Sequence, residues 1–358
     1  MNAPTPPVCS QVFSGHAPPL SNNQAMEIAR KAYGIHATVQ LLSSERDQNF
    51  KLQTIDGRAY VLKATHPAED PAITDFQTRA QLHLQTTEAQ QFIPHLYPST
   101  DGHHQCTHYS ATGERRAIRL IDFSPGIPMS QAPRSARQRQ AIGVALASVD
   151  LGLQGFEHPM ADHVLLWDIQ HTDRIAHLVE LIKAPERKRQ AQRFLEHFLM
   201  HTQPALAGLR RQVIHSDLNP DNIMVDRQNS DRIDMLLDFG DMVRAPLVQD
   251  VSVACAYHLC DATNPLLEGV VPLLTGYHQR LALTTEEIAL VPELIAARLL
   301  ITVAITGWRA MQYPENQTYI LRNHELAWRG LGLLDALPAA QAQDSLLQAC
   351  EHARKSQP

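Results

Sequence analysis

Apolar and polar residues alternate along positions 50–54, and a mostly apolar run follows at 58–64; with Asp56-Gly57 between them, they predict two strands joined by a tight hairpin. Ahead of this hairpin, Ser21 and Gln24 have the spacing of a capping box for a helix reaching about Tyr33, where Gly34 stops it. Behind it, the pattern gives a helix over 72–91 and short strands over 92–97, 106–110 and 116–121, with turns at Asp101-Gly102 and Thr112-Gly113. Asp122-Phe123-Ser124-Pro125-Gly126 breaks the β pattern. Beyond the break the period turns helical, over 138–153 with Ile142, Leu146 and Val149 on one face, and again over 192–209. Short apolar runs return at 212–214, 223–225 and 233–237, the last two joined by a polar turn at 226–231. Asp250 is placed to cap a helix over 251–259. From about Asn264 the chain reads as helices separated by turns at Pro265, Pro272, Pro292 and Pro314. Residues 1–20, with five prolines and little periodicity, read as a mobile arm.

Composition narrows the classes this pattern can serve. A chain of 358 residues, 44% hydrophobic, can build one large or two modest cores, and its length favours two domains. A net charge of −6 argues against a nucleic-acid surface, and the basic clusters at 134–139 and 187–193 read as solvated helix faces. Five scattered cysteines without framework spacing fit a reducing cytoplasm. His104, Cys106 and His108 would share one strand face, but three neutral side chains on an exposed hairpin are commoner than a zinc site. No signal peptide is expected, and no membrane span: the apolar stretch 294–308 is short, carries Arg298, and reads as a buried helix.

The chemistry sits in three short pieces in a fixed order. His215-Ser216-Asp217 is followed by Asn222 and then by Asp238-Phe239-Gly240, and the apolar runs before them place both acids at strand ends, where loops open carboxylates to a cleft. That order is the set that phosphoryl transfer requires, because the reaction depends on positioning charge more than on covalent chemistry. In it Asp217 accepts or orients the proton of an attacking hydroxyl, while Asn222 and Asp238 hold divalent ions through hard oxygen atoms. Lys63 is the one ammonium in the apolar run 60–64, so it needs a partner.

The run His-Ser-Asp-Leu-Asn-Pro-Asp-Asn at 215–222, with Asp-Phe-Gly-Asp at 238–241, resembles the aminoglycoside phosphotransferase and choline kinase-like branch of the protein-kinase fold. It lacks the Arg after His and the Ala-Pro-Glu segment usual in protein kinases. Residues 44–50, Leu166-Trp167-Asp168 and 240–248 look like hydroxylysine kinase-like phosphotransferases, and the likeness runs in patches from about 25 to 330. The resemblance implies an α+β, bilobal protein kinase-like fold: a small antiparallel-sheet N-lobe over 21–122 and a larger, mostly helical C-lobe over 123–358.

It also implies roles. Lys63 meets the α- and β-phosphates, and its partner is expected on the helix over 72–91, where Asp75 and Gln77 stand in place of the family's Glu. The connection at 44–49 covers the phosphates without any glycine, so Ser44 and Asn49 are expected to contact them, with a plain polar turn as the other reading. Backbone groups at Ile121, Asp122 and Phe123 hold a purine, and His215 supports the catalytic turn. Trp167 and Asp168 lie near the acceptor, Asp168 pairing with an ammonium or else capping a helix, and Asp241 adds a carboxylate close to the transfer point. Arg298 either faces the cleft, where it reads a substrate carboxylate, or forms a buried ion pair. The expected activity is transfer of a γ-phosphoryl group from ATP or GTP, with Mg2+, to a small-molecule hydroxyl on an amino alcohol, hydroxy amino acid or related amine. An aminoglycoside acceptor, a protein acceptor and a nucleotide-binding pseudokinase remain the alternatives.

Overall fold

The computed structural model describes residues 19–44, 46–110, 113–259 and 265–355. The expected arm, apart from its last two residues, lies outside this set, as do Cys9, Thr112 and Cys260. The chain divides into two compact units, Met1–Pro125 with His158–Met160, and Gly126–Glu157 with Ala161–Pro358.

In the first unit, α1 (Asn22–Tyr33) starts at a reciprocal Ser21/Gln24 capping box and ends at Gly34, whose φ of 65° suits a residue without Cβ. A six-stranded antiparallel sheet follows, built from β1 (Ala37–Leu42), β2 (Gln48–Thr54), β3 (Ala59–Ala64), β4 (Leu96–Tyr97), β5 (Cys106–Tyr109) and β6 (Arg115–Asp122). The order is β1-β2-β3-β6-β4, with β5 also on β6. Phe50, Leu52, Leu62, Ile118 and Leu120 form a core with Ala25, Ile28 and Ala29 of α1. Pairing puts Lys63 opposite Asn49 on one side and Arg119 on the other, so these three polar side chains share a sheet face.

Helix α2 (Pro71–Leu84) begins at Asp70, whose carboxylate accepts the Ala72 N–H, and ends seven residues short of the expected 91. The side chain of Gln85 takes the Leu96 N–H at 2.6 Å, and the Thr86 and Thr87 hydroxyls bond back to the carbonyls of His83 and Leu84. These local bonds compete with helix propagation. The chain therefore passes through a 3₁₀ turn, Glu88–Phe92, and the strand expected over 92–97 shrinks to β4.

The second unit holds β7 (Ile127–Pro128), α3 (Ala136–Gly152), α4 (Pro185–His197), β8 (Arg211–Ile214), β9 (Ile223–Val225), β10 (Ile233–Leu236), β11 (Val243–Pro246), α5 (Leu247–Leu259), α6 (Val271–Arg280), α7 (Thr285–Gln312), α8 (His324–Ala336) and α9 (Ala339–Lys355). Strands β10-β9-β7 form one small sheet and β11-β8 another. Helices α3 and α6 approach closely at glycines: a Cβ on Gly143 would stand 2.1 Å from the Leu273 carbonyl oxygen, and one on Gly276 2.2 Å from that of Gln140. Pro292 does not mark a turn, as expected, but sits inside α7, whose start is fixed upstream by the Thr284/Glu287 capping box. This helix has the length and composition of a membrane span, yet 83% of its most apolar window is buried within the fold.

Candidate active site

The chain leaves β8 at Ile214 and makes a tight turn whose backbone is held from behind. Ser216 has φ 66°, a left-handed conformation that a residue with a Cβ adopts only under constraint. The constraint is Asp250 in the first turn of α5, whose two carboxylate oxygens accept the N–H groups of His215 (2.8 Å) and Ser216 (2.7 Å). Asp250 was expected to cap a helix beginning at 251; α5 instead starts at Leu247, and the carboxylate serves the turn. His215 is fully buried, donates from Nε2 to the Leu237 carbonyl at 2.9 Å, accepts the Asp217 N–H on Nδ1 at 3.3 Å, and packs against Phe239.

This turn presents Asp217 with both oxygens engaged. Oδ1 accepts from Arg298 Nη2 at 2.7 Å, and Oδ2 from the amides of Asn219 (3.0 Å) and Asn222 (3.1 Å). The Asn222 amide nitrogen also donates to the Asp217 carbonyl at 2.9 Å, so its two protons are used and its oxygen is the atom left for a cation. The Leu237 N–H bonds the Asn222 carbonyl at 2.8 Å, bringing Asp238 next to Asn222 in the chain's path. Asp238 is exposed and has φ 61°. One amide oxygen and one carboxylate fit Mg2+, which takes few protein ligands and completes its octahedron with phosphates and water.

Arg298 is 2% exposed in the middle of α7. Besides Asp217 it donates to the Trp167 carbonyl (3.1 Å) and the Tyr257 hydroxyl oxygen (3.0 Å), and its guanidinium lies 5.1 Å from the Trp167 ring and 5.8 Å from that of Tyr257. Burial disfavours its charge, but Tyr257, Asp217 and Asp241 around it more than compensate and hold its pKa above the ordinary arginine value. Of the two readings open for Arg298, the buried ion pair is the one formed. Asp241 is buried in the same neighbourhood. Of the two readings open for Asp168, the cap is the one formed: it is fully buried, caps the 3₁₀ turn Ile169–Ile175, and accepts from the side chains of Gln170 and Gln249. A cavity of about 270 Å³ adjoins the cluster, lined by Arg134, Asp221, Tyr257, Arg298, Thr302 and Asn323 among others. A larger cavity of about 310 Å³ near α4 and α9 contains none of these groups and is mostly apolar, so size alone does not mark the site.

In the first unit Lys63 Nζ lies 3.3 Å from Asp47 Oδ2. The acid expected on α2 is corrected, because Asp75 is bound instead to Arg79 (2.8 Å) and His158 (3.2 Å); Gln77, the uncharged candidate there, accepts from Arg119 at 3.1 Å. Asp47 went unseen as this partner, although strand alternation places it on the Lys63 side. The Ser44 hydroxyl closes onto the Asp47 carbonyl, and the Asn49 amide oxygen is buried with no hydrogen-bond partner among the described residues. Ile121 and Asp122 end β6; the Asp122 N–H bonds the His95 carbonyl and its carboxylate accepts from His95 N–H and the Tyr97 hydroxyl. Phe123 lies under the Lys51 ammonium, 4.2 Å from its ring centre.

An antiparallel sheet with one helix beside it, and a helical unit carrying the Asp217–Asn222–Asp238 loops, define a kinase-like phosphotransferase fold. A model of the phosphotransferase enzyme family matches residues 38–283, and the chain belongs to that family. It is a phosphotransferase with a hydroxyl group as acceptor, a small-molecule kinase. Hydroxylysine kinase of Mus musculus is 23% identical over 338 residues, covering 88% of this chain and 89% of that protein. The Danio rerio hydroxylysine kinase is 23% identical over 349 residues, covering 94% and 98%. Among solved structures, an amicoumacin kinase bound to AMP-PNP and Ca2+ aligns with TM-score 0.62 at 14% identity, covering 95% of each chain. A microcompartment-associated aminopropanol kinase aligns with TM-score 0.59 at 17% identity, covering 94% of this chain and 97% of its own.

Proposed function

We propose that the chain transfers the γ-phosphoryl group of ATP, or GTP, to the hydroxyl of a small hydroxylated amine, an amino alcohol or a hydroxy amino acid such as hydroxylysine or homoserine. The observation that carries this reading is Asp217, fixed by Arg298, Asn219 and Asn222 at the end of a strained turn. A carboxylate so held is above all an orienting group: it aligns the acceptor hydroxyl for in-line attack and accepts its proton late, once the bond to phosphorus is forming and the bond from phosphorus to the departing nucleoside diphosphate is breaking. Asn222 and Asp238 would hold Mg2+, which when bound neutralises charge on the donor's phosphates. Lys63 binds the α- and β-phosphates, and peptide groups near Ile121 to Phe123 meet the purine. Ser44 shapes the loop beside Lys63 more than it touches phosphate, since its hydroxyl is already engaged.

The amine in the acceptor is supported by two things. Asp221 lines the cavity beside the cluster, where Arg134 and Arg298 also stand to meet a carboxylate such as that of a hydroxy amino acid, and the similar proteins are named for hydroxylysine and aminopropanol. We further propose a cytoplasmic setting and a free small molecule as partner, with no role for nucleic acid or membrane. The test is nucleoside diphosphate release across amino alcohols, hydroxy amino acids and aminoglycosides with each donor. Mg2+-dependent turnover on a hydroxylated amine is expected; tight nucleotide binding with no turnover on any acceptor would instead make the chain a regulatory pseudokinase.

A further inference from the structure

Lys63 is enclosed in an apolar strand, and an ammonium there must be both neutralised and aimed. The sheet register indicates where the aiming group comes from. Lys63 stands opposite Asn49 on β2, and residues two apart on a strand share a face, so Asp47, at the entry to β2, projects toward Lys63. Its carboxylate is itself held: Oδ2 is 3.3 Å from Lys63 Nζ, and Oδ1 accepts the His66 N–H at 3.0 Å from the segment leaving β3. The Ser44 hydroxyl bonds the Asp47 carbonyl, closing the loop on itself. Both side chains of the pair are 16% exposed, which limits screening by solvent while leaving a way in for a phosphate oxygen. The acid on α2 is differently placed: Asp75 is 45% exposed and bound by Arg79 and His158.

We infer that Asp47, in the loop between β1 and β2, is the positioning residue for Lys63, taking over the task for which a carboxylate on the following helix was expected. The inference rests on the reading of Lys63 as a phosphate ligand. It gives the glycine-free loop a function other than wrapping phosphates with bare backbone. The loop presents a fixed carboxylate through which its own conformation sets the direction of the ammonium. When a nucleotide binds, Lys63 shares its three donors between Asp47 and the phosphates, and Asp47 keeps the stem from swinging back to solvent.

The test is nucleotide affinity, measured as the Kd of MgADP, together with the KM values for donor and acceptor. Asp47→Asn keeps the contact with the His66 N–H and removes the charge. It is expected to weaken nucleotide binding roughly tenfold, the scale of one charge-assisted contact, with the acceptor KM unmoved. Asp47→Glu recovers part of the loss. Lys63→Met weakens binding at least as much, and the double variant is no worse than Lys63→Met alone, because the two residues act as one unit. A merely structural Asp47 would lower Tm and add its loss to that of Lys63→Met. Wild-type affinity in Asp47→Asn, additive losses, or an equal loss in Asp75→Asn would each overturn the assignment. If Asp47→Asn does not fold, Asp47→Glu carries the same cycle, since displacing the carboxylate by one methylene must still change donor affinity and leave the acceptor KM alone. Unchanged affinity in Lys63→Met would instead remove the reading of Lys63 on which the inference stands.

Discussion

Lys63 and Arg298 pose the same physical problem in two regions and receive opposite solutions. Each is a cation set among apolar residues, in the strand β3 and at the centre of the helix α7. Lys63 is partly open and meets the Asp47 carboxylate, 3.3 Å away on a loop. Arg298 is closed in, bound to Asp217 at 2.7 Å, to Tyr257 and to the Trp167 carbonyl, with its guanidinium near two aromatic rings. A compact ammonium on a flexible stem can be re-aimed at an arriving anion; a planar guanidinium held at several points cannot. The sheet unit thus carries an adaptable cation and the helical unit a fixed one. Asp217, the carboxylate proposed to orient a hydroxyl, is tied to the fixed one.

The sharpest break in that comparison is Asp217→Ala. Turnover should fall by orders of magnitude, with nucleotide affinity changed only modestly. The same change strips a buried guanidinium of its carboxylate, and truncating one partner of such a pair destabilises a fold by about 3–5 kcal/mol. Asp217→Ala is therefore expected to lose stability in denaturant titration, and adding Arg298→Met to it should recover most of that loss without restoring turnover. Equal stability of wild type and Asp217→Ala would show that the pair does not secure α7.

Lys63→Met is the matching change in the other unit, and its expected signature is the reverse. Removing an adaptable, partly exposed ammonium leaves Asp47 still accepting the His66 N–H and reaching solvent. Stability should stay within about 1 kcal/mol of wild type while nucleotide binding weakens by roughly tenfold or more. A loss in unfolding free energy as large as that of Asp217→Ala would mean that both cations are structural fixtures.

These contrasts also mark what the amino-acid sequence discloses. Features set by neighbours a few residues apart were legible: the Ser21/Gln24 capping box, the Gly34 stop, the hairpin at Asp56-Gly57 and the turn that Asp226 closes by accepting the Gln228 and Asn229 N–H groups. The closeness of Asp217 and Asn222 was legible too, because the two stand five residues apart in one turn. Partners were not. Asp250 reaches the catalytic turn across 35 residues and Arg298 reaches Asp217 across 81, and no local pattern encodes such a pairing. The ammonium reading of Asp168 came from the resemblance of Leu166-Trp167-Asp168 to an acceptor segment; Gln249, 81 residues away, is what occupies it. Helix length failed for a related reason, since the side chain that ends α2 is Gln85 bonding to a strand residue that propensity does not count.

The most gradual expected effect, spread over several pH units, concerns a third way of handling buried charge, by proton uptake. Asp150 on α3 is fully buried behind the turn, accepts the Tyr277 hydroxyl and feels the negative charge of Asp250. Burial first, and then the negative charge of Asp250, push its pKa well above the ordinary aspartate value, so in the fold it carries a proton that Asp250 can accept in a hydrogen bond. In the unfolded chain the same group ionises near pH ~3.9. Between those two values the folded state binds the extra proton. Asp150 therefore contributes its full stability only below the unfolded pKa, and the contribution declines as pH rises toward the folded one. Asp150→Asn has no proton to lose, and its amide offers a donor to Asp250 and an acceptor to Tyr277. The stability of the Asn variant relative to wild type should accordingly rise from pH 4 to pH 7, by no more than about 1.4 kcal/mol per pH unit. Parallel stability curves for the two proteins would mean that Asp150 is ionised in the fold, and that the helical unit holds its catalytic turn between two charges instead of around one shared proton.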